Sequence, residues 1–363
     1  MKNIEKRHIV RKAEIANEFI VCLEAARLFN ARGVFISRPV SDYQSEYDDY
    51  INGLPSDYLN PKNKNRLIEE IDKLKPLSTS SANSLVSSII QKYDAIQRVS
   101  IVNYAKKGLS EGATQKADVC VEIYLPNGHC ETLMFSLKQY EKFSDPQVSS
   151  GTYLSTVCGL AFDIAGRGSF YGTSGGKFAS KKANKQQIIE NFVNLYGNET
   201  SEFIDQIIKI TNTAHLLRKE PIRPANLAII RKQIGHSAVS PIMGLMNIVC
   251  NTDPDKLKRR FLDRSGLSLD KGKNMIYSAF NGKNIVTFNT LCHQGFRDLL
   301  TNLNASDTTM SITQSGDQQS GQGISFKFIN NGKTILVCDM PLTININGAW
   351  ANEDRICSKS KVF

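Results

Sequence analysis

The sequence predicts an α/β protein: a mixed central sheet flanked by helices, then a largely helical basic region, then closing β-strands. Three observations carry this. Apolar residues recur at helical spacing over much of residues 8–93, switch to strand spacing over about 99–138, and return to strand spacing from residue 324. Positive charge gathers between the two strand regions. The 363 residues are 41% hydrophobic and 22% charged, enough to bury a core in one large domain or in two to three smaller ones. No apolar run approaches the roughly 18 residues that a membrane span needs. The charged start, Met1 to His8, is not followed by the apolar stretch of a secretory signal, so a cytoplasmic protein is expected.

Residues 8–32 read as a helix, with Ile15, Phe19, Val21, Cys22, Ala25, Ala26, Leu28 and Phe29 on one broad stripe and Gly33 as its stop. Glu14, Glu18 and Glu24 lie on or near the edges of that stripe. Residues 39–65 are polar and read as a long connection with a short helix; further helices are expected at 64–74 and 81–93. Val99 to Tyr104 reads as a strand. Residues 118–125 and 130–138 alternate about the turn Pro126-Asn127-Gly128 and form the clearest hairpin of the first half. Residues 147–165 are small and apolar and read as a buried helix. From about 187 to 300 the chain reads as mostly helical, and 304–323 as loop. The end returns to strands at 324–329, 334–338 and 342–346, the first two joined by an Asn331-Gly332 turn. The expected division is 1–165, 166–303 and 304–363.

The eight cysteines are scattered with no C-x-x-C pair, which argues against a zinc site and for buried free thiols. The five histidines are isolated. Net charge is +10, and residues 164–300 hold 20 Lys and Arg against 10 Asp and Glu, leaving the remainder balanced. A localised positive excess is the footprint of a polyanionic partner, usually nucleic acid.

The hairpin carries the chemistry. Side chains alternate along a strand, so Ser136 and Lys138 share a face, as do Asp118 and Glu122, and pairing through the turn brings Asp118 toward Lys138. Phosphodiester cleavage needs a divalent cation, held by carboxylates, and a nearby cationic group to manage the nucleophile. Lys138 closes an otherwise apolar strand, and a desolvated amine beside carboxylates is costly unless it is used. Lys116-Ala117-Asp118-Val119-Cys120-Val121, a turn, then Phe135-Ser136-Leu137-Lys138 resembles the core motif of the PD-(D/E)XK nuclease superfamily, and within it the type II restriction endonucleases. The resemblance covers about 21 residues directly. It implies a restriction-endonuclease-like core, Mg²⁺ as cofactor, Asp118 as metal ligand, Lys138 as catalytic lysine, the Leu137 carbonyl as a further ligand, and a homodimer acting on double-stranded DNA at a short specific sequence. The chain departs from the pattern at Ala117, where proline is frequent, and at Ser136, where the family usually has Asp or Glu. A carboxylate recruited from elsewhere must then complete the site; the candidates are Glu18, Glu24 and Glu141, with Glu122 and Asp145 behind them.

For DNA contact, the Gly-rich segment 166–187 offers Arg167, Lys177, Lys181, Lys182 and Lys185 to phosphates. Asn226–Val249, with Arg231 and Lys232, has the outline of a helix-turn-helix. Lys256 to Arg260 is the densest positive run, a solvated helical face whose Lys258, Arg259 and Arg260 are further candidates. Two rival functions follow from the same residues. A DNA-binding protein that has lost the chemistry would explain Ser136. An S-adenosylmethionine-dependent methyltransferase would explain Ala161-Phe162-Asp163-Ile164-Ala165-Gly166-Arg167-Gly168, but the chain has no Pro-Pro segment to complete that signature.

Overall fold

In the computed structural model of the protein, the residues described are 6–103, 117–140, 147–151, 153–162, 182–217, 224–265, 267–269, 273–280, 284–317, 321–343 and 351–357. Along them run α1 (Lys6–Ala31), α2 (Val40–Asn52), α3 (Ser56–Leu59), α4 (Pro61–Lys92), β1 (Arg98–Asn103), β2 (Val119–Tyr124), β3 (Cys130–Tyr140), β4 (Gln147–Gly151), α5 (Tyr153–Ala161) and α6 (Lys182–Tyr196). There follow α7 (Thr200–Leu217), α8 (Pro224–Thr252), α9 (Pro254–Ser265), β5 (Lys273–Phe280), β6 (Ile285–Asn289), α10 (Gln294–Asn304), β7 (Thr309–Asp317), β8 (Gly321–Asn330), β9 (Lys333–Thr343) and β10 (Ala351–Cys357). The chain forms two compact units: residues 1–110, 115–144 and 272–297 in one, 111–114, 145–271 and 298–363 in the other.

The first unit is built on a mixed sheet of order β1-β2-β3-β5-β6, in which β3 and β5 run parallel and the other neighbours antiparallel. Val99, Ile101, Val119, Val121, Ile123, Leu133 and Phe135 are buried in one cluster with Val21, Cys22, Ala25, Ala26 and Phe29 of α1 and Ala82, Leu85, Val86 and Ile89 of α4. Removing each of the larger side chains from water contributes about 1.5–3 kcal/mol. At the end of α1, Gly33 takes φ +75°, and the Val34 N–H reaches back to the Phe29 carbonyl at 3.0 Å, closing the last turn as a left-handed glycine permits.

The second unit holds an antiparallel sheet of order β4-β10-β9-β8-β7, with α8 packed on β7, β8 and β9. Asn331 and Gly332, at φ 49° and 73°, make the two-residue turn joining β8 to β9.

Several expectations change. The 39–65 connection is mostly helix, as α2 and α3. The two helices expected at 64–74 and 81–93 are one, α4, which continues through Pro76 because Leu67, Ile71, Leu77, Leu85 and Ile89 form a continuous buried stripe. Asn60 caps its start, accepting the Asn63 N–H at 3.0 Å. Residues 147–151 are a strand, and the helix begins only at Tyr153. The helix-turn-helix outline at 226–249 is a single helix, α8, carrying Pro241 within it. Residues 273–289, expected to be helical, supply β5 and β6 to the first sheet, and 309–317, expected as loop, is β7.

Of the cysteines, Cys22, Cys120, Cys158 and Cys338 are buried free thiols, as expected, while Cys130 is exposed. No described helix is long and apolar enough to cross a membrane.

Candidate active site

Asp118 stands immediately before β2. Its N–H donates to the Phe135 carbonyl at 2.8 Å, and the register Val119 to Phe135 sets it opposite Ser136. Its Oδ2 accepts the Leu137 N–H at 2.7 Å and the Ser136 hydroxyl at 3.2 Å. These two donors fix the carboxylate, and its Oδ1 takes no hydrogen bond from a described residue. Ser136 is fully buried and occupied as a donor to Asp118, so it orients the acid and does not replace one. Lys138 is half-buried two residues on, on the same face by strand alternation. Among the described residues it makes no ion pair with Asp118.

Among the described candidate acids, Glu18 is the one whose carboxyl feels both Asp118 and Lys138. Burial and then the nearby Asp118 carboxylate push the Glu18 carboxyl from its ordinary 4.5 up to about 8, against the opposing fields of Arg11 and Lys138. Glu18, Asp118 and Lys138 therefore share one electrostatic neighbourhood. Arg11 belongs to it as well. Burial works against the Arg11 charge, but its 3.0 Å bond to Glu14 and the fields of Glu18 and Asp118 outweigh that and raise its pKa. Positions 11, 14 and 18 are one stripe of α1, at spacings of three and four residues. That spacing is the signal in the sequence that could have added Arg11 and Glu14 to the candidates.

The described ones among the other candidate acids make different contacts. Glu24 is six residues beyond Glu18, roughly 240° around the helix, and pairs with Arg27 at 2.6 Å. Glu122 accepts the Tyr124 hydroxyl at 3.1 Å. Glu141 and Asp145 fall outside the described residues. Leu137 gives its N–H to Asp118, and its side chain packs against the core cluster. Among the described residues no group of three or more His, Cys, Asp or Glu side chains is gathered for a metal.

Of the basic candidates, two are structural. The Lys258 ammonium is buried and donates to the carbonyls of Ala305 at 3.0 Å and Thr308 at 2.7 Å, just past the end of α10. Arg260 donates to the Ala161 carbonyl at 2.6 Å, closing α5, and to the Tyr196 hydroxyl at 3.3 Å. The expectation of a solvated face at these two positions is thus corrected: each cation sits at a helix C-terminus, where unpaired carbonyls and the helix dipole favour it. Arg259 and Lys232 are exposed. Arg231, Lys182 and Lys185 lie on helices, with their side chains outside the described set; Arg167, Lys177 and Lys181 lie outside the described residues altogether. The methyltransferase-like pattern requires a strand running into its glycines, yet the chain up to Ala161 is helix α5 and residues 163 onward are outside the described set.

No family model matches the chain, and no curated protein matches it. Among solved structures, the crystal structure of restriction endonuclease MspI in complex with its cognate DNA aligns at 16% identity over 42% of this chain and 66% of that one, with a TM-score of 0.20. That likeness is too slight to bear on fold or function.

Proposed function

We propose that the protein is a Mg²⁺-dependent endonuclease that hydrolyses phosphodiester bonds in double-stranded DNA. The observation that carries this reading is that the Glu18 carboxyl feels both the Asp118 carboxylate and the Lys138 amine, while the Ser136 hydroxyl and the Leu137 N–H hold Asp118 in place. The donor set fits the ion. Mg²⁺ is satisfied by one or two carboxylates, waters and substrate phosphate oxygens, and needs no all-protein cage. A divalent cation would favour the ionised form of a carboxyl that burial and a neighbouring carboxylate otherwise keep protonated.

Asp118 and Glu18 would hold the ion, with the Leu137 carbonyl as a further ligand. When bound, Mg²⁺ supplies Lewis acidity at the phosphate and lowers the pKa of a coordinated water. Ser136 and the Leu137 N–H keep the Asp118 carboxylate aimed. Lys138 orients the attacking water and offsets charge developing on the phosphate. Arg11, on the stripe that carries Glu18, is placed to attract the phosphate backbone. The basic excess of residues 164–300 supplies charge for DNA. The PD-(D/E)XK resemblance extends the proposal to a type II restriction enzyme working as a homodimer at a short sequence.

A second reading, a protein that binds DNA without cutting it, is favoured by one observation: Ser136 stands where a third acid would complete the site. Supercoiled plasmid incubated with purified protein, in Mg²⁺ and in EDTA, separates the two. The proposal expects linear products in Mg²⁺ only, with sequenced ends sharing a short motif. A retarded but intact plasmid in both would establish the second reading instead.

A further inference from the structure

Glu18 and Lys138 stand on elements that share no strand ladder: α1 packs along α4, and α4 in turn packs on β3. Between their sequence neighbours Asn17 and Gln139 runs a chain of hydrogen bonds through Ser78 of α4. Gln139 Nε2 donates to Ser78 Oγ at 3.1 Å; Ser78 Oγ donates to Asn17 Oδ1 at 2.7 Å; Asn17 Nδ2 donates to the carbonyls of Ala13 at 2.9 Å and Ile71 at 3.4 Å. Asn17 and Ser78 are fully buried. Each end of the chain adjoins a residue of the candidate site, since Asn17 precedes Glu18 and Gln139 follows Lys138.

The surroundings make this placement informative. Around Asn17 the packing is apolar, with Ile9, Ala13, Ala16 and Ile20 clustered with Leu67 and Ile71. An apolar side chain at 17 would satisfy that contact, whereas a buried amide is costly unless every partner is in place. A buried, hydrogen-bonded polar chain fixes one register where an apolar interface tolerates several. Beyond Ser78 the same helix continues the pattern: Ser81 meets Ser278 of β5 at 2.6 Å, and Ser88 accepts from Asn289 of β6 at 2.9 Å. A slip of α1 along α4 by one residue would move Glu18 by about 1.5 Å. A Mg²⁺–oxygen distance near 2.0–2.1 Å does not tolerate that.

We propose that Asn17, Ser78 and Gln139 are positioning residues that set Glu18 against Asp118 and Lys138, and so set the affinity of the site for Mg²⁺. The proposal rests on the nuclease reading above. Its test is a calorimetric titration of Mg²⁺ into the metal-free full chain, run beside plasmid cleavage at graded Mg²⁺. Ser78→Ala is expected to weaken Mg²⁺ binding about tenfold or more, the scale on which residues supporting metal ligands act, and to raise the Mg²⁺ needed for half-maximal cleavage in step. Ser78→Thr keeps the hydroxyl and is expected to stay close to wild type. Val86→Ala, buried on α4 away from the chain, is expected to lower the thermal midpoint and leave Mg²⁺ affinity unchanged. If Ser78→Ala fails to fold, Gln139→Leu, at the less buried end, replaces it with the same expectation. Equal Mg²⁺ affinity in wild type and Ser78→Ala, or equal weakening by Ser78→Ala and Val86→Ala, overturns the proposal alone. A wild type that neither binds Mg²⁺ nor cuts DNA overturns the nuclease reading with it.

Discussion

Glu18 is placed where two electrostatic costs add, loss of water and the approach of Asp118, and both favour its neutral form. A carboxyl whose folded pKa lies above its unfolded value takes stability away as pH rises from about 4.5 to about 8, because the unfolded chain ionises it freely and the folded chain resists. Glu18→Gln removes that penalty. In metal-free buffer the variant is expected to be more stable than wild type at pH 8 by on the order of 1–3 kcal/mol, with the gap closing toward pH 4.5. It is also expected to lose cleavage, the trade that strained functional groups impose. Denaturant melts at the two pH values check this, and an equal difference at both would show that Glu18 titrates normally. Asp118→Asn is expected to remove the same repulsion, so that the Glu18 carboxyl returns toward ordinary values in a ¹³C-detected NMR titration. An unchanged Glu18 titration would place the two carboxylates too far apart to share an ion.

At the scale of elements, the hairpin was legible because alternation and the Pro126-Asn127-Gly128 turn agree on one register, and α1 because its apolar stripe ends at a glycine. The acid completing the site was legible only as a choice among glutamates; helical phase separates Glu18 from Glu24 once the direction of Asp118 is known. Strand β5 was hidden for a physical reason. Met275, Ile276, Tyr277, Ser278 and Ala279 are all buried, because β5 lies inside the sheet, so its sequence has no two-residue period to betray a strand. Helix α8 was misread because Gly235 and Pro241 look like local breaks, while Ala238, Val239, Ile242, Leu245, Met246 and Val249 are buried along it and carry the helix through. The run at 256–260 shows why charge alone misleads. Lys258→Met is expected to destabilise the second unit by about 1–3 kcal/mol, because the Thr308 carbonyl loses its ammonium donor and the Ala305 carbonyl keeps only the Thr308 N–H, with little change in DNA affinity; a gel-shift titration beside a thermal melt separates the effects. A large loss of affinity without a change in melting would return Lys258 to the DNA-contacting set. Arg259→Ala, on the exposed side of the same helix, is expected to weaken binding modestly, as the loss of one phosphate contact does.

Across the whole molecule, charge is unevenly spread, with 20 basic against 10 acidic residues in 164–300 and balance elsewhere. If DNA is the partner, its affinity falls steeply with salt, since each neutralised phosphate releases bound counterions. A plot of log affinity against log salt is expected to be linear, with a slope between about −5 and −9 for six to ten phosphate contacts. A flat plot would remove DNA as the polyanion. The same property lets binding and chemistry be measured apart, because the basic residues act at a distance and the carboxylates only on the ion.

The most direct measurement is single-turnover cleavage of plasmid DNA by Lys138→Ala in saturating Mg²⁺, with affinity for the same DNA measured beside it. The account predicts cleavage reduced at least a hundredfold, as when a charge-stabilising group is removed from a phosphoryl-transfer site, and DNA affinity within about twofold of wild type, as for one phosphate contact at most. Cleavage at the wild-type rate by Lys138→Ala would contradict it and place the chemistry somewhere other than Asp118, Lys138 and Glu18.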